Sequence, residues 1–259
     1  MKTPLLLATL PLLSSPVLAA RVTIASQWND FSSLTAPHGG QHLSITLNGG
    51  ATVDSNDRLV LNGQAGSFAR ISFPSTYRPG WLPGQSYGIQ LTISGLQAQQ
   101  AWSQLFMYNS VSAGKESGVA INTTGMITDG ANQASWGSTF GADAIGPDSF
   151  TLTVIQTSTA GVGTRYYING EYVNVNTSGW IASNQTWNSI DFGNSYKTYA
   201  GAAYAIETLA FFHVDSATIG DLDTAAKTMY GLVPEPATAT LGLAGLAALM
   251  LRRRRSHHS

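Results

Sequence analysis

Three tryptophans stand among amides between the apolar runs of this 259-residue chain. Trp136 follows Asn132 and Gln133, while Trp180 and Trp187 flank Asn184 and Gln185, with Asn188 next in line. Aromatic faces stack on the C–H surfaces of sugars and amides take the hydroxyls. Trp136, Trp180, Trp187, Asn184 and Asn188 are therefore a candidate carbohydrate-binding set carried on loops. The plainer role for each tryptophan is to plug an end of the fold. Asp54-Ser55-Asn56-Asp57 gathers oxygen side chains within four residues, so Asp54, Asn56 and Asp57 are calcium candidates. The same residue types also make turns without any metal. Retaining glycoside hydrolysis needs two carboxyl groups about 5 Å apart, and no predicted strand alternates them. Asp191 and Glu207 each stand alone, and Asp221 and Asp223 fall on a predicted helix. There is no Gly-x-Ser-x-Gly elbow, and His38, His42 and His213 lack the spacing of a triad. His213, alone on a predicted strand, reads as a packed or surface histidine. No catalytic residue is assigned, no cofactor is required beyond the calcium candidate, and the chain reads as a binding module.

The elements that must position these residues are strands. Leu43–Leu47 alternates apolar and polar and runs into Asn48-Gly49-Gly50; Arg58–Leu61 leads to Asn62-Gly63, and Ser67–Phe73 resumes. Gly88–Ile93, Gln104–Tyr108, Gly118–Asn122, Ser189–Gly193 and Tyr204–Val214 read the same way. Ser149–Gln156 sets Phe150, Leu152 and Val154 against threonines. Arg165–Ile168 and Glu171–Val175 are separated by Asn169-Gly170, which tolerates the two positive φ angles of a type I′ turn. That turn predicts pairs Ile168–Glu171, Tyr167–Tyr172 and Tyr166–Val173, with Tyr166, Ile168 and Val173 on the core face. Ile219–Tyr230 is the one predicted helix, with Ile219, Leu222, Ala226 and Met229 on one side and Gly231 as its stop. The fold class expected is all-β, an antiparallel sandwich with one short C-terminal helix.

Both termini read as addresses. Met1–Ala19 has a basic start, an apolar run broken by Pro11 and Pro16, and a small-residue site at Val17-Leu18-Ala19, the pattern of a secretory signal peptide. At the other end Val233-Pro234-Glu235-Pro236 precedes an apolar stretch from Ala237 to Leu251 and then Arg252, Arg253, Arg254 and Arg255. As a helix that stretch would be about 22 Å long, short of a hydrocarbon core of about 30 Å but extendable by snorkelling arginines. A single membrane-anchoring helix with an arginine stop is the expectation. The net charge of −1 hides an acidic exported part: without Lys2 and the four terminal arginines, 8 basic residues face 14 acidic ones. No basic patch is present, which argues against nucleic acid as a partner. The chain has no cysteine, so packing alone must hold it in an oxidising compartment.

The Val-Pro-Glu-Pro box, Ala-rich span and arginine block resemble the PEP-CTERM sorting signal of exported bacterial proteins. The resemblance implies an exosortase-type protease as a processing partner, cleavage near Pro234 to Pro236, transient anchoring in the inner membrane, then the cell surface, outer envelope or extracellular matrix. It also implies a host that makes exopolysaccharide. The element order, with Tyr166-Tyr167-Ile168-Asn169-Gly170-Glu171 and Ala205-Ile206-Glu207-Thr208-Leu209 as its marks, resembles the laminin G-like, concanavalin A-like jelly roll. Some members of that fold hydrolyse glycosides through a Glu-x-Asp-x-x-Glu strand, which this chain lacks. The expected organisation is a signal peptide at 1–19, a concanavalin A-like sandwich at 20–232 and a sorting signal at 233–255. The expected function is non-catalytic binding of glycan, with exopolysaccharide the leading partner. The alternatives are a structural or adhesive surface module that contacts proteins, and a glycosidase.

Overall fold

Inward-facing apolar residues at every second position build two antiparallel sheets that close on each other. The computed structural model describes residues 21–75, 85–97, 103–110, 116–121, 127–131, 136–139, 149–157, 159, 162–176, 187–193 and 201–232. The first sheet contains β1 (Val22–Trp28), β3 (Thr52–Val53), β4 (Leu59–Asn62), β6 (Ser86–Gln97), β11 (Phe150–Thr157), β12 (Thr164–Ile168), β13 (Glu171–Asn176) and β15 (Ala203–Val214). Its order is β13-β12-β11-β6-β15-β4-β3, with β1 also paired to β15. The second sheet contains β2 (Ile45–Asn48), β5 (Phe68–Ser72), β7 (Ser103–Ser110), β8 (Glu116–Ile121), β9 (Ile127–Ala131), β10 (Trp136–Thr139) and β14 (Trp187–Gly193). Its order is β10-β9-β8-β7-β14-β5-β2, and every strand pair in both sheets is antiparallel. The expected antiparallel sandwich is therefore the observed architecture.

The core lies between the sheets. Ile89, Leu91 and Ile93 of β6, Phe150, Leu152 and Val154 of β11, and Leu209 and Phe211 of β15 face Ile71, Phe106, Tyr108, Ile190 and Phe192. Each such side chain contributes roughly 1.5–3 kcal/mol when taken fully out of water. A second apolar layer covers the outer side of the first sheet. There Ile155, Tyr167, Ala210, Phe212 and Val214 pack on α1 (Ile219–Leu232) through Leu222, Ala225, Ala226 and Met229. Gly88 makes room for this layer, since a Cβ there would lie 2.0 Å from the Phe212 ring. At the start of the helix the Ser216 and Thr218 hydroxyls both donate to the Asp221 carboxylate, holding it below the usual carboxylate range. Helix and sheet are latched by Arg165, which is buried. Its guanidinium donates to Asp223 at 2.9 Å and to the Tyr167 hydroxyl, and it lies 4.3 Å from the Tyr172 ring centroid.

Several expectations change. The Asn169-Gly170 turn has φ of 52° and 79° and pairs Ile168 with Glu171 and Tyr167 with Tyr172 as predicted. Beyond that a β-bulge pairs Tyr166 with Asn174, so Val173 leaves the core face and is 37% exposed. Ile219 is exposed rather than on the buried helix face, and the helix continues through Gly231 to Leu232. The expected membrane-anchoring helix is corrected. Among the described residues no helix is long and apolar enough to cross a membrane, and α1, 14 residues long, spends its apolar face on the sandwich. Ala237–Leu251, where the span was expected, and Arg252, Arg253, Arg254 and Arg255 lie outside the described residues. Transient anchoring in the inner membrane accordingly has no helix among the described residues to rest on.

Candidate glycan-binding end of the sandwich

The strand registers sort the segment ends into two groups. At one end the chain enters or leaves strands at Ser72, Ser86, Ser110, Glu116, Ala131, Trp136, Thr157, Thr164, Asn176, Trp187 and Val214. The two sheets share this end because the Phe73 and Phe211 rings meet edge-on with centroids 5.6 Å apart. The opposite end is fixed by Tyr204, whose hydroxyl donates to the Leu105 carbonyl and accepts from the Gly193 N–H at 3.0 Å. Full burial drives the Tyr204 phenol far above its ordinary pKa, so it stays a neutral donor.

At the first end, the core face of one sheet turns polar in a single row. Thr23 pairs with His213, His213 with Tyr87, Tyr87 with Gln156, and Gln156 with Thr164. One row further in, the positions two residues back on β6, β11, β12 and β15 are Ile89, Val154, Tyr166 and Phe211, all buried in the core. The inward alternation Phe150-Leu152-Val154 thus ends on Gln156, and Leu209-Phe211 ends on His213. Thr23, Tyr87 and His213 are half-buried, and Gln156 and Thr164 are buried. Burial also raises the Tyr87 pKa, keeping a neutral hydroxyl in the row. Across from the row, the other sheet contributes stacked aromatics: Phe73 and Tyr108 at 6.5 Å, then Tyr108 and Trp187 at 5.5 Å. Two buried donors at this end have no hydrogen-bond partner, Gln156 Nε2 and Trp187 Nε1. Hydroxyls, an imidazole and an amide above apolar rings are groups that can take sugar oxygens and C–H faces.

The residues expected from sequence reach this end unevenly. Trp187 is 2% exposed, with its ring packed on Tyr108 and its indole N–H buried without a hydrogen-bond partner. Asn188 is exposed beside it, and its carbonyl accepts from Phe73 N–H at 2.8 Å. Trp136 takes the register position opposite Gly130 at the same end. Trp180 and Asn184 lie outside the described residues, as do Val233, Pro234, Glu235 and Pro236. The calcium candidates form a closed turn. Asp54 accepts from the Asn56 and Arg58 N–H groups with one oxygen and from the Arg58 guanidinium at 2.7 and 2.9 Å with the other. The Asp54 carboxylate is thus engaged by Arg58 and by backbone N–H groups. Among the described residues no group of three or more His, Asp or Glu side chains is placed to hold a metal.

A second polar cluster sits on the outer face of the other sheet. Asp191, with no exposed surface, accepts from Arg70 at 2.6 and 2.7 Å and from Asn109 at 3.1 Å. Arg70 lies 5.1 Å from the Phe68 ring centroid, and the carboxylate raises its already high pKa. Three donors on one carboxylate describe a structural ion pair rather than a general acid or nucleophile.

No known family profile matches the sequence, and no curated protein does. Solved structures do. Botulinum neurotoxin type C, from work on its interaction with two ganglioside molecules, aligns with TM-score 0.59 at 14% identity over 82% of this chain and 51% of that one. The binding domain of botulinum neurotoxin serotype G aligns at 0.57 and 12% identity over 81% and 51%. Trypanosoma rangeli sialidase, bound to the inhibitor DANA, aligns at 0.54 and 10% identity over 83% and 33%. The chain spans about half the length of the toxin chains and a third of the sialidase. At these identities the likeness shows the fold alone, an antiparallel β-sandwich.

Proposed function

We propose that this chain is an exported, non-catalytic lectin-like module that binds glycan at the end of the sandwich where Thr23, His213, Tyr87, Gln156 and Thr164 line up. The observation that carries the reading is that row. Five polar side chains from five strands occupy core-face positions one row beyond apolar ones, at the end where Phe211 meets Phe73 of the other sheet. A sandwich closed only for stability would end in apolar plugs, because an unpaired polar group costs free energy on burial. The folds it shares with ganglioside-interacting toxins and a sialidase support a carbohydrate ligand as a proposal for this chain. Trp136, Trp180, Trp187, Asn184 and Asn188 belong to the same proposal, with Trp187 contributing its N–H rather than a stacking face. Exopolysaccharide as the partner, and exosortase-type processing at Val233-Pro234-Glu235-Pro236, rest on the sequence pattern at 233–255. The division into a signal peptide at 1–19, a sandwich at 20–232 and a sorting signal at 233–255 is proposed on the same footing.

The test is a glycan array probed with the purified full chain, beside a pull-down from host surface protein. Binding to a defined glycan family supports the reading. A blank array with a specific protein partner would replace it with an adhesive protein-contacting module. Hydrolysis of any arrayed polysaccharide would instead revive the glycosidase.

A further inference from the structure

We infer that the free edge of β13 is where a second copy of this chain docks, the two β13 strands pairing antiparallel about a two-fold axis. Among the described residues β13 ends the order of its sheet, with β12 on one side and no strand on the other. Tyr172 is 45% exposed and Val173 37% exposed, and both stand on this edge strand. An unpaired edge carrying exposed apolar residues is a template for a further strand. β13 reads Glu-Tyr-Val-Asn-Val-Asn, without the lysine or proline that commonly blunts an edge.

The register follows from the hairpin. In a two-residue hairpin the residues flanking the turn, Ile168 and Glu171, exchange main-chain bonds, and the next pair, Tyr167 and Tyr172, does not. Tyr172 thus turns its N–H and C=O away from β12. Past the bulged Val173, Asn174 pairs with Tyr166 and Val175 with Arg165, so Val175 is the next residue to turn outward. Its N–H agrees, donating at 2.7 Å to Oδ1 of the neighbouring Asn174 rather than to another strand.

Setting Tyr172 of one protomer opposite the partner's Val175 lets the pair exchange both main-chain hydrogen bonds, and the two-fold repeats them. The bulge falls at the same place in both strands, so neither runs a residue ahead of the other. Tyr172 and Val175 lie opposite Tyr167 and Arg165 on one sheet face, which makes each contact an aromatic with β-branched cross-strand pair. Glu171 falls opposite position 176, an asparagine, so no like charges meet. The Tyr172 ring is set before docking, with its centroid 4.3 Å from the Arg165 guanidinium and 6.0 Å from that of Tyr167, which lowers the ordering cost. A strand that complements itself in hydrogen bonds, faces and charge fits its own copy.

The test is sedimentation velocity of the full chain over a concentration series. Val175→Pro removes the outward N–H and leaves the ladder to β12 intact, and Val173→Lys puts a charge beside the two-fold axis. Each is expected to weaken self-association about tenfold. Val173 is exposed, so its variant keeps the fold even where the proline does not. The chain has no cysteine, so cross-linking reads the register directly. Bonded antiparallel pairs hold their Cα atoms about 5.5 Å apart, within disulfide range. A variant carrying both Tyr172→Cys and Val175→Cys should therefore link two copies on air oxidation, and Val175→Cys alone should not. A chain that stays monomeric at every concentration would overturn the inference. So would a dimer that neither Val175→Pro nor Val173→Lys weakens, or one that Val175→Cys alone links as readily as the double variant.

Discussion

Replacing Arg70 by Ala separates the ion pair on the outer face from the proposed binding end. Asp191 has no exposed surface and accepts two hydrogen bonds from Arg70 and one from Asn109. The variant leaves a buried carboxylate with one donor at 3.1 Å. Breaking a buried pair from one side costs about 3–5 kcal/mol. The Arg70 side chain is itself 42% exposed, so water reaches part of the pair and the low end, about 3 kcal/mol, applies. For a domain of this size each kcal/mol moves the melting temperature by about 2–4 °C, giving a loss of about 6–12 °C. Removing both partners, as Arg70→Met with Asp191→Leu, should recover most of that loss, since no orphaned charge remains. Thermal melting by circular dichroism at neutral pH reads both. Neighbours Ile71, Ile190 and Phe192 face the core, so Arg70 and Asp191 point away from the inner row. Glycan affinity should therefore stay within about twofold of the parent protein. A loss below about 2 °C for Arg70→Ala, or a double variant no better than the single one, would refute the reasoning.

Two further outcomes follow from the packing. Burial raises the Tyr204 and Tyr167 phenols above the value of 10.0 that governs the unfolded chain. A raised tyrosine contributes stability that is complete below pH 10 and is lost as the unfolded chain sheds protons above it. Stability should fall by about 1.4 kcal/mol per pH unit for each tyrosine. Urea midpoints between pH 9 and 11.5 should show a slope shallower by one proton in Tyr204→Phe, and an unchanged slope would count against the buried phenol. Gly88→Ala places a Cβ 2.0 Å from the Phe212 ring and should cost about 1–3 kcal/mol. Phe212→Leu in the same chain should return part of that stability; no recovery would show that the clash is not the cause.

The strands were legible where one face alternates. Phe150-Leu152-Val154, Ile89-Leu91-Ile93 and the Asn169-Gly170 turn announce themselves because period and turn chemistry are local. β9 and the edge strand β10, written Ile-Thr-Asp-Gly-Ala and Trp-Gly-Ser-Thr, carry no apolar alternation and are fixed by pairing, β9 on β8 and β10 on β9. β1 was missed beside the signal peptide, and its bulge between Ile24 and Ser26 breaks its period. The polar row was half visible. Gln156 and His213 each continue an inward alternation, but residues 23, 87, 156, 164 and 213 meet only through four separate registers. Trp187 was picked out as a sugar-stacking residue on its polar neighbours in sequence, whereas the bulge between Trp187 and Ser189 and the ring of Tyr108 place it in the core. The membrane span rested on the proline break at 234–236, the apolar run at 237–251 and the arginine block, all outside the described residues, whereas the described helix before them packs on Ala210 and Phe212.

Mapping glycan contact on the labelled full chain by amide chemical shifts tests the central claim most directly, using a ligand selected from the array. The account predicts perturbations at Thr23, Tyr87, Gln156, Thr164 and His213, with Asn169 and Gly170 at the opposite end unmoved. Shifts gathered around Arg70 and Asp191, or around the Asn169-Gly170 turn, would contradict it.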